Sequence, residues 1–254
     1  KAMSNRDRGD EEQYYEVANH AVIRMEPGST FKTISMMAAL DDGKVEMDDT
    51  IRVYKNGWSY HGSKHTDAHP ADTIYNIRQA MAVSSNIALA KIVTEGYGGS
   101  AKKFVKKLKN MGLCDSVDYT IPGAKQALIN VPNDTVTISK MAYGYSVELS
   151  PLQMLTFYNG IANDGKMITP LIVKEIRKNG KVIEEFESSV IKSSICSDAT
   201  LESIRECLHD VVWNDTLGTA SVNPWGTRKA QSDLVAIAGK TGTAQILEKG
   251  YSNR

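Results

Sequence analysis

Glu26-Pro27-Gly28-Ser29-Thr30-Phe31-Lys32 runs directly into Thr33-Ile34-Ser35-Met36-Met37-Ala38-Ala39-Leu40. Pro27 has the fixed φ and the missing N–H that suit a helix start, so the stretch predicts a buried apolar helix with Ser29 in its first turn, closed by Asp41-Asp42-Gly43. The i, i+3 spacing sets Lys32 on the same face as Ser29. The N–H groups of a first turn have no intrahelical partner and sit at the positive end of the dipole, so an oxyanion beside Ser29 would be stabilised.

Two further stretches complement this one. Ser84-Ser85-Asn86 interrupts the apolar tract 73–95, which carries Ile74, Ile77, Met81, Ile87, Leu89 and Ile92. Such residues bond local backbone and favour caps over helix interiors, so two helices joined by a polar turn are expected there, well placed to line a cleft. Lys240-Thr241-Gly242-Thr243 is the third stretch and occurs once. Ser-x-x-Lys recurs at Ser100 and Ser189, and Ser-x-Asn recurs at Ser221, so short patterns must be judged by setting. Ser100 opens a lysine-rich surface helix and Ser189 lies in a polar stretch. Neither setting suits a nucleophile.

The 254 residues carry 30 Lys+Arg against 30 Asp+Glu and are 41% hydrophobic, enough for a sizeable core and without the basic field that nucleic-acid binding needs. Cys114, Cys196 and Cys207 are odd in number and irregular in spacing, so they read as buried residues and not as a disulfide framework. No apolar run approaches the ~20 residues of a membrane helix, so any membrane anchor would lie outside this chain. His61, His65 and His69 fall on every fourth residue, but Gly62 and Pro70 argue for loop and against a metal site on one helix face. Neither a metal nor a cofactor is expected. Gly239-Lys240-Thr241 lacks the glycine a phosphate loop requires, since Leu234 stands there.

Elsewhere, residues 1–19 read as polar, with Lys1-Ala2-Met3 as the tail of a strand, and 48–70 as loop with at most one short strand. Residues 100–111 form an amphipathic helix ended by Gly112. Ser150-Pro151 opens a helix that stops at Asn163-Asp164-Gly165, Lys178-Asn179-Gly180 turns a hairpin, and 198–213 is helical. Residues 234–237 and 240–247 read as strand.

On Glu26 to Lys32, Ser84-Ser85-Asn86 and Ala238-Gly239-Lys240-Thr241-Gly242-Thr243-Ala244-Gln245, the chain resembles the transpeptidase domain of penicillin-binding proteins, whose motifs these are. Asn19-His20-Ala21-Val22, Gly144-Tyr145, Ser150-Pro151-Leu152-Gln153, Ile161-Ala162-Asn163 and Gly218-Thr219-Ala220 extend the likeness over most of the chain. Asp67-Ala68-His69 with residues 81–86 is similar to the class B, septal-division branch. The resemblance implies an α+β fold: a mostly antiparallel sheet flanked by helices, with an all-helical subdomain holding Ser84 to Asn86. It also implies that residues 1–254 form one partial domain, lacking its first strand and the elements after the Lys-Thr-Gly strand.

The implied chemistry is acyl transfer. Ser29 is the nucleophile and Lys32 its base, provided burial and nearby positive charge such as Lys240 lower its pKa. By resemblance Ser84 relays the proton, Asn86 holds Lys32 and the substrate amide, Lys240 with Thr241, Gly242 and Thr243 binds the terminal carboxylate, and the Ser29 and Thr243 N–H groups form the oxyanion hole. The implied substrates are D-alanyl-D-alanine stem peptides of peptidoglycan, with β-lactams as acylating ligands, division membrane proteins as partners and an extracytoplasmic setting. A D,D-carboxypeptidase or β-lactamase-like hydrolase and a β-lactam sensor without turnover are the rival readings. The Glu-to-Asn spacing of class A β-lactamases occurs at Glu175 and Asn179, which run into the expected hairpin turn, and Asn86 stands where sensors usually have valine.

Overall fold

The computed structural model describes residues 2–8, 11–115, 117, 121, 123–221 and 226–242. In chain order these form β1 (Ala2–Arg8), β2 (Glu11–Ala18), a 3₁₀ turn (Gly28–Phe31), α1 (Lys32–Asp41), β3 (Thr50–Val53), β4 (Trp58–Tyr60), β5 (Ser63–His65), β6 (Thr73–Asn76), α2 (Ile77–Ala82), α3 (Asn86–Gly96), α4 (Ala101–Asn110), α5 (Thr137–Met141), α6 (Pro151–Ala162), β7 (Met167–Ile168), β8 (Glu175–Lys178), β9 (Lys181–Glu185), β10 (Val190–Lys192) and α7 (Asp198–Trp213). The class is α+β and every strand pair is antiparallel. The described strands form five two-stranded sheets.

The core is helical and centred on α1. Residues 32–39 are buried without exception, as in a helix enclosed on all sides. Helices α3, α4 and α7 pack around it. Local chemistry sets the neighbours' ends: Ser85, Ser100 and Ser197 cap α3, α4 and α7, and Ser150 forms a capping box with Gln153 ahead of Pro151 on α6. Helix α7 is tied to α2 by Arg78, whose Nε and Nη2 donate to the two Asp210 oxygens at 2.7 Å each.

The 3₁₀ turn at Ser29 is gripped from behind. Tyr158 Oη, on α6, donates to Thr30 O at 2.9 Å and lies 2.7 Å from the Thr33 hydroxyl. Gly28 N donates to Gly144 O at 3.2 Å. At Gly144, φ is +94°, and a Cβ there would lie 2.1 Å from Gly28 O. Only glycine permits that backbone approach.

Several sequence expectations need correction. Residues 73–76 are strand paired with β3, and the helix starts only at Ile77, where Asn76 and Gln79 form a capping box. Residues 48–70 hold three short strands whose mixed polarity hides the period of two. Residues 2–8 and 11–18 form a pair of antiparallel strands whose sequence carries no apolar alternation to read. Residues 234–242 are not strand: Leu234 is 93% exposed, and the backbone spends its hydrogen bonds on α7, with Trp213 Nε1 donating to Ile237 O at 2.8 Å and Gly239 N donating to Leu208 O at 3.1 Å. A strand needs a ladder partner, and none of the described residues pairs with this segment. The expected strand at 243–247 lies outside the described residues.

The Gly144→Ala variant should lose about 3 kcal/mol of stability, because both the left-handed φ and the contact with Gly28 resist a side chain. Urea denaturation of the two proteins measures this, and an unchanged midpoint would refute the tight Gly28–Gly144 packing.

Candidate active site

Three segments meet in one cleft of about 380 Å³ lined by Ser29, Ala68, His69, Val83, Ser84, Asn86, Tyr145, Thr219, Thr241 and Gly242. Each reaches it by a separate device. Ser29 projects from the 3₁₀ turn fixed by Tyr158 and Gly144. Ser84 sits in the break between α2 and α3 with φ +57°, a left-handed conformation that costs a non-glycine residue ~1 to 2 kcal/mol. The 240–242 segment lies over the Ser29 turn, where a Cβ on Gly242 would come within 2.6 Å of Thr30 Cγ2.

The strained turn at Ser84 pays its way through Lys32. Fully buried on α1, Lys32 Nζ donates to Ser84 O at 2.5 Å and to Ser84 Oγ at 3.0 Å. Lys240 Nζ donates to the same Oγ at 2.7 Å. One hydroxyl thus faces two amines. Burial, then the positive charge of Lys240, push the Lys32 pKa well below the ordinary lysine value, against a smaller opposing pull from Asp67. Burial brings Lys240 down to about 8. When Lys32 is neutral its lone pair can accept the Ser84 O–H while Lys240 still donates to Oγ.

Asn86 lines the cleft with its Nδ2 donating to Thr66 O at 2.8 Å, and none of the hydrogen bonds among the described residues engages its Oδ1. Lys32 is held by Ser84 in this structure and Asn86 by Thr66. Thr241 Oγ1 shares a 2.7 Å hydrogen bond with Thr219 Oγ1. Thr243, expected in the anion clamp and oxyanion hole, lies outside the described residues. The three histidines fall on a turn, on β5 and on the loop after it. His65 Nδ1 lies 2.8 Å from Tyr143 Oη, and only His69 reaches the cleft.

Asp67 was not singled out from sequence as a site residue. Its carboxylate accepts from Ser85 Oγ at 2.7 Å, Asn86 N at 2.6 Å and Ile87 N at 3.0 Å, so one side chain from a loop closes the N-terminus of α3 and locks the Ser84-Ser85-Asn86 turn. An acidic residue is a cap signal only when it adjoins its helix in sequence. Thr219 and Tyr145 were legible only as parts of wider similar stretches.

The family model described as penicillin binding protein transpeptidase domain matches residues 1–254. Penicillin-binding protein PbpB of Mycolicibacterium smegmatis is 28% identical over 229 residues, covering 87% of this chain and 33% of that protein. Penicillin-binding protein 3 of Bacillus subtilis is 25% identical over 226 residues, with 87% and 31% covered. The chain spans about a third of the length of these curated relatives. Among solved structures, penicillin binding protein 2X from Streptococcus thermophilus superposes with a TM-score of 0.79 at 20% identity, over 92% of this chain and 34% of that one. The TP domain of Burkholderia pseudomallei penicillin-binding protein 3 gives 0.74 at 22%, over 96% and 67%.

Replacing Asp67 by Asn removes the anion that opposes neutralisation of Lys32, so the Lys32 ammonium should titrate at lower pH than in the parent protein. Carbon-13 NMR of labelled lysine Cε reads this directly. A shift upward, or none, would separate Asp67 from the Lys32 site.

Proposed function

We propose that this chain, which belongs to the penicillin-binding protein transpeptidase family, is a serine acyl-transferase that crosslinks peptidoglycan stem peptides and is acylated by β-lactams. The observation that supports it most is the meeting of Lys32 and Lys240 on Ser84 Oγ, at the wall of the cleft that also holds Ser29.

Neutral Lys32 takes the Ser29 proton as Oγ attacks the carbonyl carbon of the penultimate D-alanine. The negative charge gathers on the carbonyl oxygen, next to the Ser29 N–H at the open start of the 3₁₀ turn, with the Thr243 N–H as the second donor. Ser84 passes the proton to the leaving nitrogen as the C–N bond breaks and D-alanine departs. Lys240, with Thr241, Gly242 and Thr243, holds the terminal carboxylate, and Asn86 Oδ1 accepts a substrate N–H. An amine from a second stem peptide then takes the acyl group, and the proton path runs in reverse. Residues 1–254 serve as a transpeptidase domain within a longer protein acting outside the cytoplasm, and the likeness of residues 67–69 and 81–86 to the septal branch favours division proteins as partners. No described helix is long and apolar enough to cross a membrane.

A fluorescent penicillin should label the protein covalently, with no label on the Ser29→Ala variant and acylation slowed ~100 to 10,000-fold in Lys32→Ala. Label on Ser29→Ala equal to the parent's would reject the serine assignment. Rapid spontaneous loss of label would favour a hydrolase, and stable label without transfer to an added D-amino acid would favour a sensor.

The pH profile has a definite sign. Acylation should rise with pH as Lys32 loses its proton, beginning well below the ordinary lysine range, and fall as Lys240 loses its charge near pH 8. The alkaline fall should vanish for a donor whose terminal carboxylate is amidated. Its persistence there would dissociate Lys240 from carboxylate binding.

A further inference from the structure

The cleft does not end at Ser84. Ala68, His69, Val83 and Thr219 line it and also line a second compartment of about 750 Å³, so the two adjoin. Tyr75, Asp215 and Lys229 also line the second compartment, and the last two are exposed and opposite in charge.

These two residues belong to one hydrogen-bonded unit, Lys229 through its backbone and Asp215 through its carboxylate. Lys229 N donates to Ser221 O at 2.7 Å, while Ser221 Oγ and Gln231 Nε2 donate to Asp215 Oδ1 at 2.8 and 2.9 Å. Those bonds, Gln231 first, with Arg228 nearby, hold the carboxyl below its usual range. None of the hydrogen bonds among the described residues engages Asp215 Oδ2. Lys229 Nζ donates to Thr219 O at 3.1 Å. Thr219 is the residue whose hydroxyl touches Thr241, so Lys229 stands at the waist between the compartments.

Transfer from an acylated serine requires a second reactant that enters beside the first without displacing it. Resting on the serine acyl-transferase reading above, we propose that the second compartment binds the amine co-substrate, and that its opposed charges select an acceptor carrying a carboxylate next to its amine. Lys229 takes the acceptor carboxylate and Asp215 draws in the ammonium, which delivers the free amino-acid end of a stem peptide in preference to a plain alkyl amine. The ammonium releases one proton to solvent. Its nitrogen then forms a C–N bond with the acyl carbon as the C–Oγ bond to Ser29 breaks, and a second N–H proton passes through Ser84 to Ser29 Oγ.

The test uses a D-alanyl thioester donor with D-alanine or D-alaninamide as acceptor, product being followed by mass spectrometry. Lys229→Ala should raise the KM for D-alanine about fivefold while the KM for D-alaninamide changes little, and Lys229→Arg should restore the preference. Asp215→Asn should raise the KM of both acceptors. Equal changes for the two acceptors in Lys229→Ala, or none, with Ser29 acylated normally, would overturn this inference alone. Absence of any Ser29 acyl-enzyme in the parent protein would overturn the serine reading, and this inference with it.

Discussion

The site depends on one buried amine. Placing Lys32 at the start of a fully enclosed helix removes it from water, and an ammonium there needs acceptors or must give up its proton. Both answers are built in at Ser84: a carbonyl and a hydroxyl at hydrogen-bond distance, and a second lysine on the same hydroxyl. The left-handed backbone of Ser84 presents both oxygens to Lys32 and is in turn braced by Asp67 through Ser85 and Asn86. Remove the burial and the lysine reverts to an ordinary cation that cannot accept a proton.

Around this centre the fold works as a set of clamps. Tyr158 and Gly144 fix the Ser29 turn, Asp67 fixes the Ser84 turn, and α7 carries the 237–242 segment on the Trp213 and Leu208 contacts. Thr219 N donates to Ala82 O at 3.1 Å, which joins the third wall to the end of α2. None of these clamps shares a secondary-structure element with the serine it positions. Precision at the cleft is therefore a tertiary property, and substitutions behind the cleft reach the chemistry through geometry.

Much of the helical frame was legible in the sequence. The Ser150-Pro151 pair, the Ser84-Ser85-Asn86 break and the Asn179-Gly180 turn each act through local backbone chemistry, and each stands where that chemistry puts it, whereas Pro27 opens a 3₁₀ turn that holds Ser29 and α1 begins only at Lys32. The short strands were not legible. Residues 73–76 look helical because Ile74 and Ile77 fit a period near 3.6, yet the Asn76–Gln79 capping box starts the helix only at Ile77. The 58–60 and 63–65 pair lacks any apolar alternation. Residues 234–237 have strand composition but no ladder partner among the described residues, since composition cannot supply one.

By itself the sequence determined which groups exist to do chemistry: a serine and lysine one helical turn apart, a serine-asparagine turn between apolar helices, and a lysine followed by Thr-Gly-Thr. Residue type and local spacing fix those, because they act over a few bonds. Only the tertiary structure decided that Lys32 is desolvated, that it meets Lys240 on a single hydroxyl, that Asp67 caps a helix nearly twenty residues away, and that the cleft adjoins a second compartment lined by charged residues. Desolvation and through-space charge depend on what surrounds an atom in three dimensions, and that neighbourhood is assembled from segments far apart in the chain.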